Sequence, residues 1–442
     1  MSNSTYDNKF CVAPWVHLHV HPNGNTLPCC YWNGGVQDDY NFGNINDYDD
    51  VEDLMNHKGY KDLRKKFLKG ESHPGCSVCD RHDASDRDGL SGRQILNKTF
   101  FTKKTKESID TTKEDGTAIP NVIYLDIRFG NICNLKCRMC SHGLSSSWHE
   151  DTLKLYELRG MNKYSNKKFI HSDCFDKIEP YLEHAQEIYF AGGEPLLYPE
   201  HTKMLDKLIE VNNTSLKIRY NTNLTSLKSK KRDIIELWKN FDDIQIAASI
   251  DGTDDTIEYI RTNADWKTIK DNYEKIKKEL PTAQLYPSPT LGIMNVETFP
   301  EFNKYCVENE WVLGDGLYLN FINWPKNQDI RILPDWYKDR LCSIYEEHIQ
   351  WIETRMDQYL QSGWDPIGIY GTNDIPGYRQ IEGLQTIIDY IQEDAYSSEE
   401  KKELLDSFWK ELNEWKTISP ENDWVVKLPH LKQFFDKYEL YN

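Results

Sequence analysis

Between residues 121 and 325 short apolar or β-branched runs recur with helical patterns between them, and this alternation limits the fold more than any other feature of the chain. The runs are NVIYLDIRF, EIYFAG, SLKIRYNT, DIQIAASI, AQLYPSPTLGI and GLYLNFI. Segments such as PEHTKMLDKLIEV and SKKRDIIELWKNF, apolar at helical spacing, separate most of them. Strands joined by helices pair in parallel through right-handed crossovers. Six such units predict an α/β fold whose parallel sheet curls into an open or partial barrel.

Directly after the first run comes NICNLKCRMC, which places Cys133, Cys137 and Cys140 at C-x3-C-x2-C spacing. Thiolates this close serve as iron–sulfur ligands, zinc ligands or a redox pair. Structural zinc normally takes four ligands, usually as two well-separated pairs. Three on one short loop instead suit three irons of a cubane and leave the fourth iron open for another ligand.

The triplet at the end of the first strand of a βα repeat resembles the signature of the radical S-adenosylmethionine (SAM) superfamily. That resemblance implies a partial (βα)6 TIM-like barrel over residues 116–330 and a catalytic 4Fe–4S cluster whose open iron is chelated by SAM. One electron from the cluster would break the sulfonium C–S bond, giving a 5′-deoxyadenosyl radical that removes hydrogen from a substrate. Ala191-Gly192-Gly193-Glu194-Pro195 after the second strand matches the family's GGE motif, with Glu194 expected on the SAM ammonium. Asn221, Thr222 and Asn223 after the third strand fall where ribose hydroxyls would lie, and Ser249 and Asp251 match positions that contact ribose or the amino acid moiety. Arg261 is expected to offer its guanidinium fork to the SAM carboxylate. The stretch Leu291-Gly292-Ile293-Met294 resembles the segment that packs on adenine. Met139 departs from the family, which usually has an aromatic residue there; a thioether can fill the same space.

The first 115 residues hold a second set of cysteines. CVAPWVHLHVHPNGNTLPCC carries Cys11, Cys29 and Cys30, and HPGCSVCD carries Cys76 and Cys79. A turn at Gly24 would fold a hairpin that brings Cys11 to Cys29, and VEDLMNHKGYKDLRKKFLKG reads as an amphipathic helix ending at Gly70. The pattern resembles the twitch and SPASM domains of radical SAM enzymes, implying an auxiliary 4Fe–4S cluster on Cys11, Cys29, Cys76 and Cys79. A full SPASM domain needs about seven ligands for two clusters; five cysteines suffice for one. Those domains usually follow the barrel, whereas this one precedes it. Zinc on four separated cysteines and Cys30 in place of Cys29 both remain open readings. His17, His19 and His21 alternate on one strand face, expected to pack on the domain or to tune a cluster through hydrogen bonds.

Residues 103–120, KKTKESIDTTKEDGTAIP, read as a linker, and residues 331–442 as a helical extension containing a capping box at Ser397 and Glu400. A net charge of −18 argues against nucleic acid as a partner. No run approaches a membrane span, and the first residues lack a signal peptide's pattern, so a cytoplasmic protein is expected, with thiols kept reduced. Cys174, Cys306 and Cys342 read as inert buried thiols. The resemblance implies a peptide or protein substrate and a reducing electron donor such as flavodoxin or ferredoxin. The rival readings are the same chemistry on a small molecule or nucleoside, and a non-catalytic iron–sulfur or zinc scaffold.

Overall fold

The computed structural model describes residues 9–33, 41–84, 90–161, 174–311, 319–361 and 378–438. Its central sheet has seven strands: β1 (His17–Val20), β2 (Thr26–Leu27), β3 (Tyr124–Ile127), β4 (Glu187–Phe190), β5 (Lys217–Thr222), β6 (Asp243–Ala248) and β7 (Gln284–Pro287). They lie in the order β7-β6-β5-β4-β3-β1-β2, with only the β1–β2 hairpin antiparallel. The β3 to β7 stretch is the parallel array that the βα alternation predicts. Among the described residues the sixth run contributes Asn320–Phe321, paired in parallel with Thr290–Leu291 in a separate ladder.

Side chains alternate across each strand, so the paired residues form rows. One row reads Val20, Ile127, Phe190, Tyr220 and Ile246. The helices cover this apolar face: Trp238 of the helix Ile234–Trp238 packs 5.1 Å from Tyr220, and His201 of Pro199–Glu210 bonds the Tyr220 hydroxyl at 2.9 Å. The other row reads His19, Asp126, Tyr189, Arg219 and Gln245. A polar row of this kind suits the concave side of a barrel that holds a ligand.

The cysteine-rich N-terminal segment shares this sheet. Its strand β1 pairs with β3 in parallel, His17 opposite Tyr124 and Val20 opposite Ile127. Gly24, at φ +85°, makes the expected turn back into β2, with His19 opposite Leu27. The expected helix over residues 51–70 is broken in two, Val51–Leu54 and Lys58–Leu68, where Asp50 and His57 each cap a new start. Gly70, at φ +72°, ends the second.

Residues 103–120 are not a linker. Thr102 caps a helix, Lys103–Asp110, that buries Thr105, Ser108 and Ile109, and Thr112 accepts a hydrogen bond from the Trp15 indole at 2.9 Å. Lys103, Lys104, Lys106, Glu107 and Asp110 form the solvated face of that helix, and Lys113, Glu114 and Asp115 follow it, which is why the composition reads as a connector. In the C-terminal region the capping box forms as expected: Ser397 and Glu400 bond reciprocally at the start of Ser398–Ile418. One apolar core runs from Phe10 through the sheet to Phe435.

Candidate functional site

The loop after β3 holds Cys133, Cys137 and Cys140, all half-buried. A serine-rich segment props it: Ser147 Oγ donates to the Cys133 carbonyl at 2.7 Å, Ser145 Oγ to that of Leu135 at 2.6 Å, and the Trp148 indole to that of Cys137 at 3.1 Å. Nothing in the spacing of SHGLSSSW announced this role, although three serines beside a tight loop are potential caps for free carbonyls. From the other side Lys136 and Cys137 pair antiparallel with Thr262 and Arg261. Burial and the neighbouring thiols push Cys133 and Cys140 up to about 12. Three thiols gathered where none favours ionisation alone form a site that a cationic centre would stabilise. The donor set therefore fits an iron–sulfur cluster.

The GGE motif closes over this loop. Gly192 and Gly193 have φ of +78° and +54°, a region that favours glycine. A Cβ on Gly193 would lie 2.4 Å from the Ile132 carbonyl oxygen, so glycine is required for the two loops to touch. Glu194 N donates to that same carbonyl at 2.8 Å, and Tyr198 Oη accepts from Ile132 N at 2.5 Å. The Glu194 carboxyl is buried and accepts from Thr222 Oγ1 at 2.7 Å, Asn223 N at 2.7 Å and Leu196 N at 3.2 Å. Burial raises it to about 7 despite these bonds. Two carboxylate oxygens have about four lone-pair positions, so one is left for a further donor.

Asn223, the first residue after β5, reaches Asn134 Oδ1 at 3.1 Å and points its amide at the Cys133 sulfur, 4.0 Å away. Asn221 and Thr222 lie within β5 rather than after it. Asn221 is half-buried on the same face as the polar row, opposite Ala247, and Ser249 is half-buried just past β6. Asp251 is fully buried and already engaged: it receives the Arg261 fork at 2.7 and 3.1 Å and the Thr290 amide at 2.8 Å. The fork expected to face a carboxylate ligand is thus taken by Asp251, and Arg261 turns its remaining nitrogen toward the Cys137 sulfur at 3.7 Å. Leu291, Ile293 and Met294 are buried in the core, and Gly292 packs against Ile322. Met139 is half-buried against that core.

Sequence reading missed Arg138. This buried guanidinium sits 4.7 Å from both the Tyr259 and Trp415 rings and 5.9 Å from Trp148. Trp415 belongs to the helix Ser398–Ile418, so the C-terminal extension grips the cysteine loop through a cation–π cage.

Cys11, Cys29, Cys76 and Cys79 line a single cavity, walled otherwise by Ala13, Trp32, Leu63 and Phe67, with Arg93 as the charged group. The hairpin and the helix Ser77–Asp83 bring them together from opposite ends of the segment. Burial is the main cause that raises all four, Cys11 to about 12 and Cys76 to about 11. Cys30 is exposed and does not line this cavity; the charges acting on it are Asp126, Arg128 and Arg219. Four thiols in an apolar pocket fit a fully capped cluster, and equally a tetrahedral metal ion. Cys174, Cys306 and Cys342 are buried, as expected. No helix among the described residues is long and apolar enough to cross a membrane.

Comparison with known families gives two matches: the radical SAM superfamily over residues 127–303, and an iron–sulfur cluster-binding domain, SPASM, over residues 11–80. No curated protein matches the chain. Among solved structures, native anSMEcpe with bound AdoMet is 17% identical, covering 55% of this chain and 62% of that one at a TM-score of 0.36. TYW1 with a lysine-pyruvate adduct bound is 15% identical, covering 41% and 61% at a TM-score of 0.24. The chain thus spans about three fifths of the length of these structures, at TM-scores that add no support beyond the family matches. The two domains imply a catalytic and an auxiliary 4Fe–4S cluster together with S-adenosylmethionine. The chain therefore carries a SPASM iron–sulfur cluster-binding domain, matched over residues 11–80, ahead of a radical SAM domain, matched over residues 127–303.

Proposed function

We propose that this chain is a radical SAM enzyme that modifies a peptide or protein by hydrogen-atom abstraction. The observation that carries the reading is the loop of Cys133, Cys137 and Cys140, latched on one side by Gly193 and Glu194 and on the other by Arg261. When bound there, cluster and SAM supply one-electron cleavage of a C–S bond and a 5′-deoxyadenosyl radical.

The chain's own residues position and shield that chemistry. Cys133, Cys137 and Cys140 would hold three irons. Glu194, with one acceptor position left, would take the SAM ammonium, and Gly192, Gly193, Asn221, Asn223 and Ser249 would line the rest. Burial holds the Cys137 thiol above its ordinary value; Arg261, held by Asp251, sets a guanidinium against that sulfur and partly offsets the shift, which the Asp251 carboxylate adds to. The polar row of Tyr189, Arg219 and Gln245 offers a substrate hydrogen-bonding groups on the polar face of the sheet. Cys11, Cys29, Cys76 and Cys79 would cap all four irons of the auxiliary cluster, leaving it to relay electrons or brace the fold. Residues 1–115, 116–330 and 331–442 remain the proposed division of labour. A peptide is preferred as substrate because the resembling twitch and SPASM enzymes often act on peptides.

The test is anaerobic incubation with SAM and dithionite, with 5′-deoxyadenosine read by mass spectrometry. Wild type should release 5′-deoxyadenosine and Cys133→Ala should not. Absence of cleavage by cluster-loaded wild type would leave a scaffold, not an enzyme. Deuterium transfer from a labelled peptide into 5′-deoxyadenosine identifies the peptide class; transfer only from a labelled small molecule would refute it.

A further inference from the structure

We propose a mononuclear divalent metal site on the polar face of the sheet, formed by His17, His19 and Asp126. The proposal does not depend on the radical chemistry and concerns neither set of cysteines.

His17 and His19 stand two residues apart on β1, so their rings project from the same face. Asp126 is directly opposite His19 in the parallel ladder. One ligand atom from each of the three lies within 4.8 Å of the others. All three side chains are buried, at 0%, 1% and 0% exposure. Buried polar atoms are normally paired, because an unpaired one loses its hydration with nothing to replace it. Here both ring nitrogens of His17, Nε2 of His19 and Oδ1 of Asp126 have no hydrogen-bond partner. These unpartnered atoms belong to three buried side chains that can each bring one donor atom to the same spot, and a cation satisfies imidazole nitrogens and a carboxylate together.

The surroundings fix the two rings. Tyr124 stacks on His17 at 4.0 Å between centroids, and Asp126 Oδ2 lies 2.6 Å from His19 Nδ1. That contact leaves His19 Nε2 free to ligate. Arg128 Nε sits 3.6 Å from Asp126 Oδ1, a positive charge that an incoming cation must displace or tolerate. Two imidazoles and one carboxylate select a borderline ion such as Zn²⁺ or Fe²⁺ over Mg²⁺ or Ca²⁺. Three protein donors leave positions for water or a substrate oxygen, as in catalytic rather than closed structural sites.

The test loads the full chain with its iron–sulfur clusters, adds stoichiometric Zn²⁺, removes loose metal, and measures zinc by mass spectrometry and its ligands by X-ray absorption at the zinc edge. The expected result is about one zinc per chain with N/O ligands at about 2.0–2.1 Å and imidazole scattering. Asp126→Asn and His17→Gln should each lower zinc occupancy at least tenfold with iron content retained. The wild-type spectrum decides even if a variant folds poorly. Zinc that fails to bind, shows sulfur at about 2.3 Å, or persists in both variants overturns the proposal.

Discussion

Glu194 carries a free-energy cost that can be measured. Its ordinary value is 4.5 and burial raises it to about 7, so between these limits the folded chain keeps a proton that the unfolded chain has released. Its contribution to stability is full below pH 4.5 and is lost as the pH rises toward 7. Without SAM, the stability difference between wild type and Glu194→Gln should shift against wild type by roughly 3 kcal/mol between pH 4.5 and pH 8, read from denaturant midpoints. A flat difference would mean that the carboxyl is not desolvated as the structure has it. The neighbouring choice between Cys29 and Cys30 is equally accessible. Cys29 lines the four-thiol cavity and Cys30 does not, so Cys29→Ala should lose about four irons per chain after reconstitution while Cys30→Ala loses none. The reactive residue types were readable from spacing because cluster chemistry demands cysteines close in sequence. The partners of Arg261 and Arg138 were not: Asp251 and Trp415 reach them only through the fold, and many carboxylates or tryptophans would have suited equally.

Elements show the same division between local and long-range information. The βα rhythm and the Ser397 capping box are local patterns, and both appear where the pattern put them. The helix Lys103–Asp110 escaped because Ile109 is the one strongly apolar residue on its buried face beside Thr105 and Ser108, so no apolar run at helical spacing marks it. The grip of the helix Ser398–Ile418 on the cysteine loop is also invisible in sequence, since it joins residues hundreds of positions apart. It rests on Trp415 beside Arg138 and on Arg159 Nε donating to Glu414 at 2.9 Å. Trp415→Ala removes a buried ring from the cage and should cost about 3–5 kcal/mol. It should also speed iron loss to a chelator, because Arg138 lies between two of the cysteines. Unchanged iron release in a destabilised variant would show that the helix supports the fold and not the loop.

At the scale of the molecule, the cysteine-rich segment and the barrel share one sheet and one core. Strand β1 covers the edge of β3, and an exposed parallel edge is a template for aggregation. A chain lacking residues 1–115 should therefore be insoluble or lack cooperative unfolding; a soluble, cooperatively folding fragment would show the two units to be independent. The reading of this molecule as a two-cluster enzyme turns on metal content. The decisive measurement is iron and sulfide per chain after anaerobic reconstitution, comparing wild type with the triple variant Cys133→Ala, Cys137→Ala, Cys140→Ala. The account predicts about eight irons falling to about four. Iron that the triple change leaves untouched would contradict it.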